Sequence, residues 1–324
     1  MCTAFSFLKN SFYFGRNMDI EYTFGESVVI TPRGFKLPLK RLGSLTVNHA
    51  LIGMANVTEG YPLYAEAANE KGLCMAGLNF PGNAVYTPEG KIKKKAAAPY
   101  ELILYILGSC ENLSEAEELL TETEIADIPF SPSLPLAPLH WIVSDASGSI
   151  VIESTAEGLR IYDNPYGVLT NNPPFPFHHE NIRQFLHLSA QFPENRMSAE
   201  HALSPFGQGA GAIGLPGDYS PASRFVKAFF CKTNSVCGDS EGSCTAQVFH
   251  ILDSVAMVRG TVLTPDGKPD FTTYSCCINA SKGIYYYKTY ENSRVTAVAL
   301  TKERKSSQKL LVFPLRTEPA FLRE

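Results

Sequence analysis

No stretch of this sequence reaches the roughly 18 consecutive apolar residues that a membrane-spanning helix needs, although 44% of its 324 residues are hydrophobic. It also carries little net charge: 28 Lys and Arg stand against 32 Asp and Glu, a formal charge of -4. That balance argues against a nucleic-acid partner, which a basic surface would attract, and the short basic runs Lys91 to Lys95 and Arg304-Lys305 read as solvated loops. Gly/Ser and Pro/Ser tracts, long charge blocks and internal repeats are all missing, so residues 1–324 are expected to form one domain. The eight cysteines, at positions 2, 74, 110, 231, 237, 244, 276 and 277, include no CxxC pair, and no histidine stands at metal spacing from Cys231, Cys237 and Cys244. Reduced thiols are therefore expected, with no metal site and no cofactor. The first residues also lack the basic and apolar regions of a signal peptide, which makes the cytoplasm the expected location.

What the chain does have is a cysteine directly behind Met1. Removal of Met1 would leave Cys2 with both a thiol, titrating near 8.5, and a free α-amino group, titrating at about 7.7–8.0, so one residue would supply nucleophile and base. A cysteine at position two is by itself more often a small apolar filler. The residues that follow give it a setting. Cys2 to Leu8 and Phe12 to Asp19 are β-prone aromatic runs joined by Lys9-Asn10-Ser11, a hairpin pattern. With the turn centred on Lys9 and Asn10, opposed residue numbers sum to about 19, which places Cys2 across from the stretch Arg16 to Asp19. Taken singly, Arg16 reads as an ordinary cross-strand residue and Asp19 as a turn former. Opposite an N-terminal cysteine, a guanidinium favours the thiolate and a carboxylate orients the amine.

Further strand pairs are expected at Leu63 to Ala68 with Leu73 to Phe80, and at Leu139 to Val143 with Ile150 to Ser154. A meander is expected over Phe271 to Asn279, Ile284 to Thr289 and Val295 to Leu300. Helices are expected from Tyr100 to Gly108, from a Ser114 cap to Thr121, from Ser220-Pro221 through Phe230, and from a Ser243 cap to Met257. Hairpins and helix pairs alternating in blocks indicate antiparallel sheets stacked and flanked by helices, an α+β layered architecture.

The order of motifs is more specific. Met1-Cys2-Thr3, Gly15-Arg16-Asn17-Met18-Asp19, Asn69-Glu70-Lys71-Gly72 leading to Gly77-Leu78-Asn79-Phe80-Pro81, Leu169-Thr170-Asn171-Asn172-Pro173, and Gly214 to Gly217 followed by Ser223-Arg224-Phe225 span about two-thirds of the chain. In this order the sequence resembles the choloylglycine hydrolase family, closest to the bile salt hydrolases, with penicillin V acylases as cousins. The resemblance implies a four-layer αββα sandwich of the N-terminal nucleophile hydrolase type, usually a homotetramer. It implies Cys2 as nucleophile with its own amine as base, Asp19 holding that amine, Arg16 beside the thiol, Asn171 and Asn79 in the oxyanion hole, and Arg224 completing the polar network. On spacing alone, Asn171 is a turn residue before Pro173 and Arg224 an exposed position in a first helical turn.

The reaction so implied is amide hydrolysis by acyl transfer on a glycine- or taurine-conjugated bile salt. Such a substrate needs an apolar slot, for which the loops Pro81 to Tyr86 and Asp127 to Leu136 are candidates, as they are for simple caps on the core. Asn79 stands where penicillin V acylases typically carry Tyr, which tilts the resemblance toward bile salts. Gly207-Gln208-Gly209 lies where relatives differ in a way associated with taurine or glycine preference, and its Gly-x-Gly form leans toward taurine. The alternatives are a penicillin V or other N-acyl amidase of the same family, a Cys-His hydrolase built on His140 or His250, and a non-catalytic steroid or lipid carrier.

Overall fold

In the computed structural model, which describes residues 1–323, the first two aromatic runs form strands Cys2–Leu8 and Phe12–Ile20. They pair with Cys2 opposite Met18 and Leu8 opposite Phe12, so opposed numbers sum to 20 rather than about 19. The turn takes three residues instead of two, with the Lys9 N–H donating to the Ser11 carbonyl at 3.1 Å. Gly15 is required here because a Cβ would lie 2.9 Å from a Val248 methyl carbon on the helix packed above.

Two antiparallel sheets follow. The first runs, edge to edge, through Val168–Leu169, Cys2–Leu8, Phe12–Ile20, Phe271–Asn279, Ile284–Thr289 and Thr296–Ala299. The second runs through Gly158–Asp163, Gly148–Thr155, Leu139–Asp145, Cys74–Asn79, Tyr61–Asn69, Leu51–Thr58, Ser27–Thr31 and Leu311–Pro314. Strand alternation sorts the second sheet's side chains. Val28, Ile30, Ile52, Met54, Ala68, Ala76 and Leu78 pack toward the first sheet, while Val29, Leu51, Ala67, Met75, Trp141 and Val143 pack under helices Leu102–Ser109 and Leu113–Thr121. Helices Pro221–Asn234 and Glu241–Asp253 cover the outer face of the first sheet. Each fully buried side chain of this size contributes about 1.5–3 kcal/mol, so both faces of the second sheet hold it in place. The result is the expected αββα sandwich.

Local boundaries differ in a few places. Asn112 rather than Ser114 caps the second helix, accepting from the Glu115 N–H at 3.0 Å. Ser240 rather than Ser243 caps the fourth, and that helix ends at Asp253 instead of Met257. Both caps sit three residues before the donor they satisfy, the ordinary N-cap offset. Strand Leu311–Pro314 lies outside the patterns expected from sequence; it completes the sheet edge by pairing with Ser27–Thr31.

The expectation of fully reduced thiols is overturned. Cys237 and Cys244 form a disulfide, because the turn between the last two long helices brings their Cα atoms to 5.2 Å. The other six cysteines are free. Among the described residues no helix is long and apolar enough to cross a membrane.

Candidate active site

Cys2 heads the opening strand, so its thiol is placed by a sheet rather than by a loop. It is buried, with 3% exposure. The pairing with Met18 puts the side chains of Arg16 and Met18 on the face of the thiol and those of Asn17 and Asp19 on the other face. Arg16 Nη2 donates to Cys2 Sγ at 3.3 Å and to the Gly77 carbonyl at 2.9 Å. Met18 Sδ lies 3.8 Å from the same thiol. Gly77 itself leaves room for the neighbouring indole, since a Cβ there would stand 3.1 Å from Trp141 Nε1.

Arg16 is anchored from behind by a residue that motif reading does not reach. Its Nη1 donates to Glu66 Oε2 at 2.5 Å, and the same carboxylate accepts from Tyr285 OH at 2.6 Å and Tyr274 OH at 2.9 Å. Burial opposes the guanidinium charge, yet Cys2, Tyr274 and Glu66 outweigh it and hold the Arg16 pKa well above its ordinary value. A lone charge inside the otherwise apolar run Leu63 to Ala68 is the sequence signal for Glu66. Replacing Glu66 by Ala leaves Arg16 a buried charge without its partner, so a loss on the order of 3–5 kcal/mol is expected in urea unfolding. An unchanged midpoint would mean that the pair does not anchor the site.

On the other face, Asn171 and Arg224 converge on the Cys2 backbone. Asn171 Oδ1 accepts from the Cys2 nitrogen at 2.9 Å and from Arg224 Nη2 at 2.7 Å, while Asn171 Nδ2 donates to the Asn79 carbonyl at 2.7 Å. Arg224, read from spacing as exposed, is buried: Nη1 donates to the Cys2 carbonyl and to Thr3 Oγ1, and Nε to the Tyr219 carbonyl. Burial pulls the Arg224 pKa down, against the opposing charges of Asp19 and Cys2. Asp19 Oδ1 accepts from Thr272 Oγ1 at 2.6 Å, and its buried Oδ2 lacks a hydrogen-bond partner, with Arg224 Nη1 at 3.9 Å. Burial raises the Asp19 carboxyl, partly countered by Arg224 and the N-terminal ammonium. With Met1 in place, the Cys2 nitrogen is an amide. The Met1 ammonium lies on the Asp19 carbonyl and, at 3.2 Å, on Asp270 Oδ2, another carboxylate outside the sequence motifs.

Cys2, Arg16, Asp19 and Asn79 line one cavity of about 850 Å³, walled by Tyr22, Phe24, Leu63, Ala65, the segment Leu134 to Leu139, and Val262 to Asp266. Of the two proposed slot loops, only the end of Asp127 to Leu136 reaches it. Pro81 to Tyr86 braces the wall instead, with Tyr86 OH donating to the Ala137 carbonyl and accepting from the Leu139 N–H, both at 2.7 Å. Gly207-Gln208-Gly209 is not among the lining residues. His140 and His250 have no cysteine partner in the hydrogen-bond network. Among the described residues, no group of three or more His, Cys, Asp or Glu is placed to hold a metal ion.

Comparison with known proteins agrees with this layout. The family model "Linear amide C-N hydrolases, choloylglycine hydrolase family" matches residues 2–313. The chain is 44% identical to the bile salt hydrolase/transferase of Lactiplantibacillus plantarum over 99% of both chains. It superposes on the crystal structure of the C2A mutant of the conjugated bile acid hydrolase from Clostridium perfringens with a TM-score of 0.92, at 38% identity, covering 100% of this chain and 99% of that one. The penicillin V acylase of Agrobacterium tumefaciens shares the fold, with a TM-score of 0.73 at 20% identity over 95% of this chain and 90% of that one. A buried thiol at position two, a guanidinium 3.3 Å from it and a match running from that thiol to residue 313 lead to one conclusion: the chain belongs to the choloylglycine hydrolase family of linear amide C-N hydrolases.

Proposed function

We propose that this protein hydrolyses the amide bond of glycine- or taurine-conjugated bile salts. The observation that carries the reading is the Cys2 thiol with its Arg16 partner opening onto a largely apolar cavity of about 850 Å³, in a chain whose relatives are named for that substrate. Removal of Met1 frees the Cys2 amine, which Asn171 Oδ1 already faces at 2.9 Å and which the partnerless Asp19 Oδ2 serves as a second acceptor. That amine takes the thiol proton as the sulfur attacks the amide carbon, then delivers it to the leaving nitrogen of glycine or taurine as the C–N bond breaks. Water attacks the resulting thioester with the same amine as base, releasing the bile acid and restoring the thiol.

The developing oxyanion is held by amide donors. Asn171 Nδ2 uses one hydrogen on the Asn79 carbonyl and has a second to give, and Asn79 lines the same cavity. Arg224 fixes Asn171 and the Cys2 carbonyl. Tyr22, Phe24, Leu63 and Leu134 to Leu136 supply the apolar walls for a steroid. In the same reading, residues 1–324 act as one N-terminal nucleophile hydrolase domain in the cytoplasm; six free cysteines support that location and the Cys237–Cys244 disulfide runs against it. The exposed Leu186, Met197 and Phe206 side chains, at 84%, 90% and 98% exposure, support self-association, for which the homotetramer implied by the family resemblance is the proposed form.

The test is intact mass measured beside amino-acid release from glycocholate and taurocholate. Loss of Met1 with release of either amino acid is expected. A trimmed, reduced chain that releases neither, but cleaves penicillin V, would overturn the substrate while keeping the mechanism.

A further inference from the structure

His140 is fully buried and belongs to no step above. Its Nδ1 lies 3.0 Å from Glu153 Oε1 and its Nε2 3.1 Å from the Thr170 carbonyl. Both ring nitrogens therefore face acceptors. A carbonyl only accepts, so Nε2 carries a proton. Glu153 Oε1 also accepts from the Phe175 N–H at 2.9 Å, and a single proton bridges it to Nδ1. His140 and Glu153 thus form one buried hydrogen-bonded pair whose ring donates to the Thr170 carbonyl, while Glu153 Oε2 is buried without a partner.

The pair sits behind the proposed oxyanion donors. It holds the Thr170 carbonyl, and His178 Nε2 donates to the next one, Asn171, at 2.9 Å; burial pushes the His178 pKa down to about 4, so that ring is neutral near pH 7. The His140 ring also stacks on Phe80, with centroids 4.3 Å apart and planes 5° from parallel, and Phe80 directly follows Asn79. Thus one ring fixes the backbone beside Asn171 and the side chain next to Asn79. A donor displaced by about 1 Å can cost on the order of 10²-fold in rate.

We propose that the buried His140–Glu153 pair is a positioning unit for the reaction, acting through Thr170 and Phe80 to keep Asn171 and Asn79 aimed at the acyl oxygen. The inference rests on the amidase reading, and its test separates the two. Nitrogen-15 spectra of wild-type enzyme labelled in histidine are expected to show a protonated His140 Nε2, the donor to the Thr170 carbonyl, and an unprotonated Nε2 would overturn the proposal without reference to any substrate. His140→Phe keeps the stacking but leaves Glu153 unpaired, so it is expected to lose stability and about 10²-fold in kcat, with KM for taurocholate changed less than about threefold. His140→Phe combined with Glu153→Gln removes the unpaired carboxyl, keeps an acceptor for the Phe175 N–H, and is expected to regain stability while kcat stays low, because the Thr170 carbonyl still lacks its donor. Recovery of kcat together with stability would make the pair purely structural and refute the proposal. Failure of wild-type enzyme to release any amino acid would instead count against the bile salt reading and leave the nitrogen spectra to decide the state of the pair.

Discussion

Replacing Cys2 by alanine is expected to abolish release of glycine and taurine, by roughly 10⁴-fold or more in kcat, while the fold and the binding of conjugate are kept. Alanine at position two still exposes a free amine once Met1 is removed, so the variant subtracts the thiol alone. Little else depends on that sulfur. Arg16 keeps Glu66 Oε2 at 2.5 Å and the Gly77 carbonyl at 2.9 Å when the contact to Cys2 Sγ is lost. Calorimetric titration with taurocholate beside a turnover assay reads both halves of the expectation. Persistent turnover would place the nucleophile elsewhere, and binding without turnover in the wild type as well would leave only a carrier.

Asn171→Ala is expected to lower kcat on the order of 10²–10³-fold with a smaller change in KM, because the proposed mechanism loses a donor it uses in the transition state. The structure adds a second consequence. The Asn171 side chain accepts from both the Cys2 nitrogen and Arg224 Nη2, so its removal leaves two buried donors short of a partner, at about 1–3 kcal/mol each. Steady-state kinetics on both conjugates, read beside urea unfolding, distinguishes the two effects. A variant that unfolds more easily but turns over at the wild-type rate would restrict Asn171 to a structural part.

The two effects differ in how far they could be foreseen. Cys2, Arg16 and Asp19 lie within one hairpin, and strand alternation puts charge opposite the cysteine even when the register is off by one. Asn79, Asn171 and Arg224 lie far from that hairpin in sequence, and only the order of motifs suggested them. Their spacing alone pointed the other way for Arg224, which is 1% exposed rather than on the surface. The cavity walls were less legible. Tyr22, Phe24 and Val262 to Asp266 come from segments with no periodicity to mark them, and one of the two slot loops braces the wall instead of lining it.

By itself, then, the sequence determined the layered α+β class, the hairpin that carries the thiol, and the family, because each of these is written in local alternation, turn residues and motif order. Which groups meet across layers was decided only by the tertiary structure: Glu66 on Arg16, the His140–Glu153 pair behind Asn171, and Cys237 against Cys244. The reason is physical. A period of two tells which face of a strand a side chain occupies, but the stacking of the two sheets and the path of the connecting loops set what that face will touch.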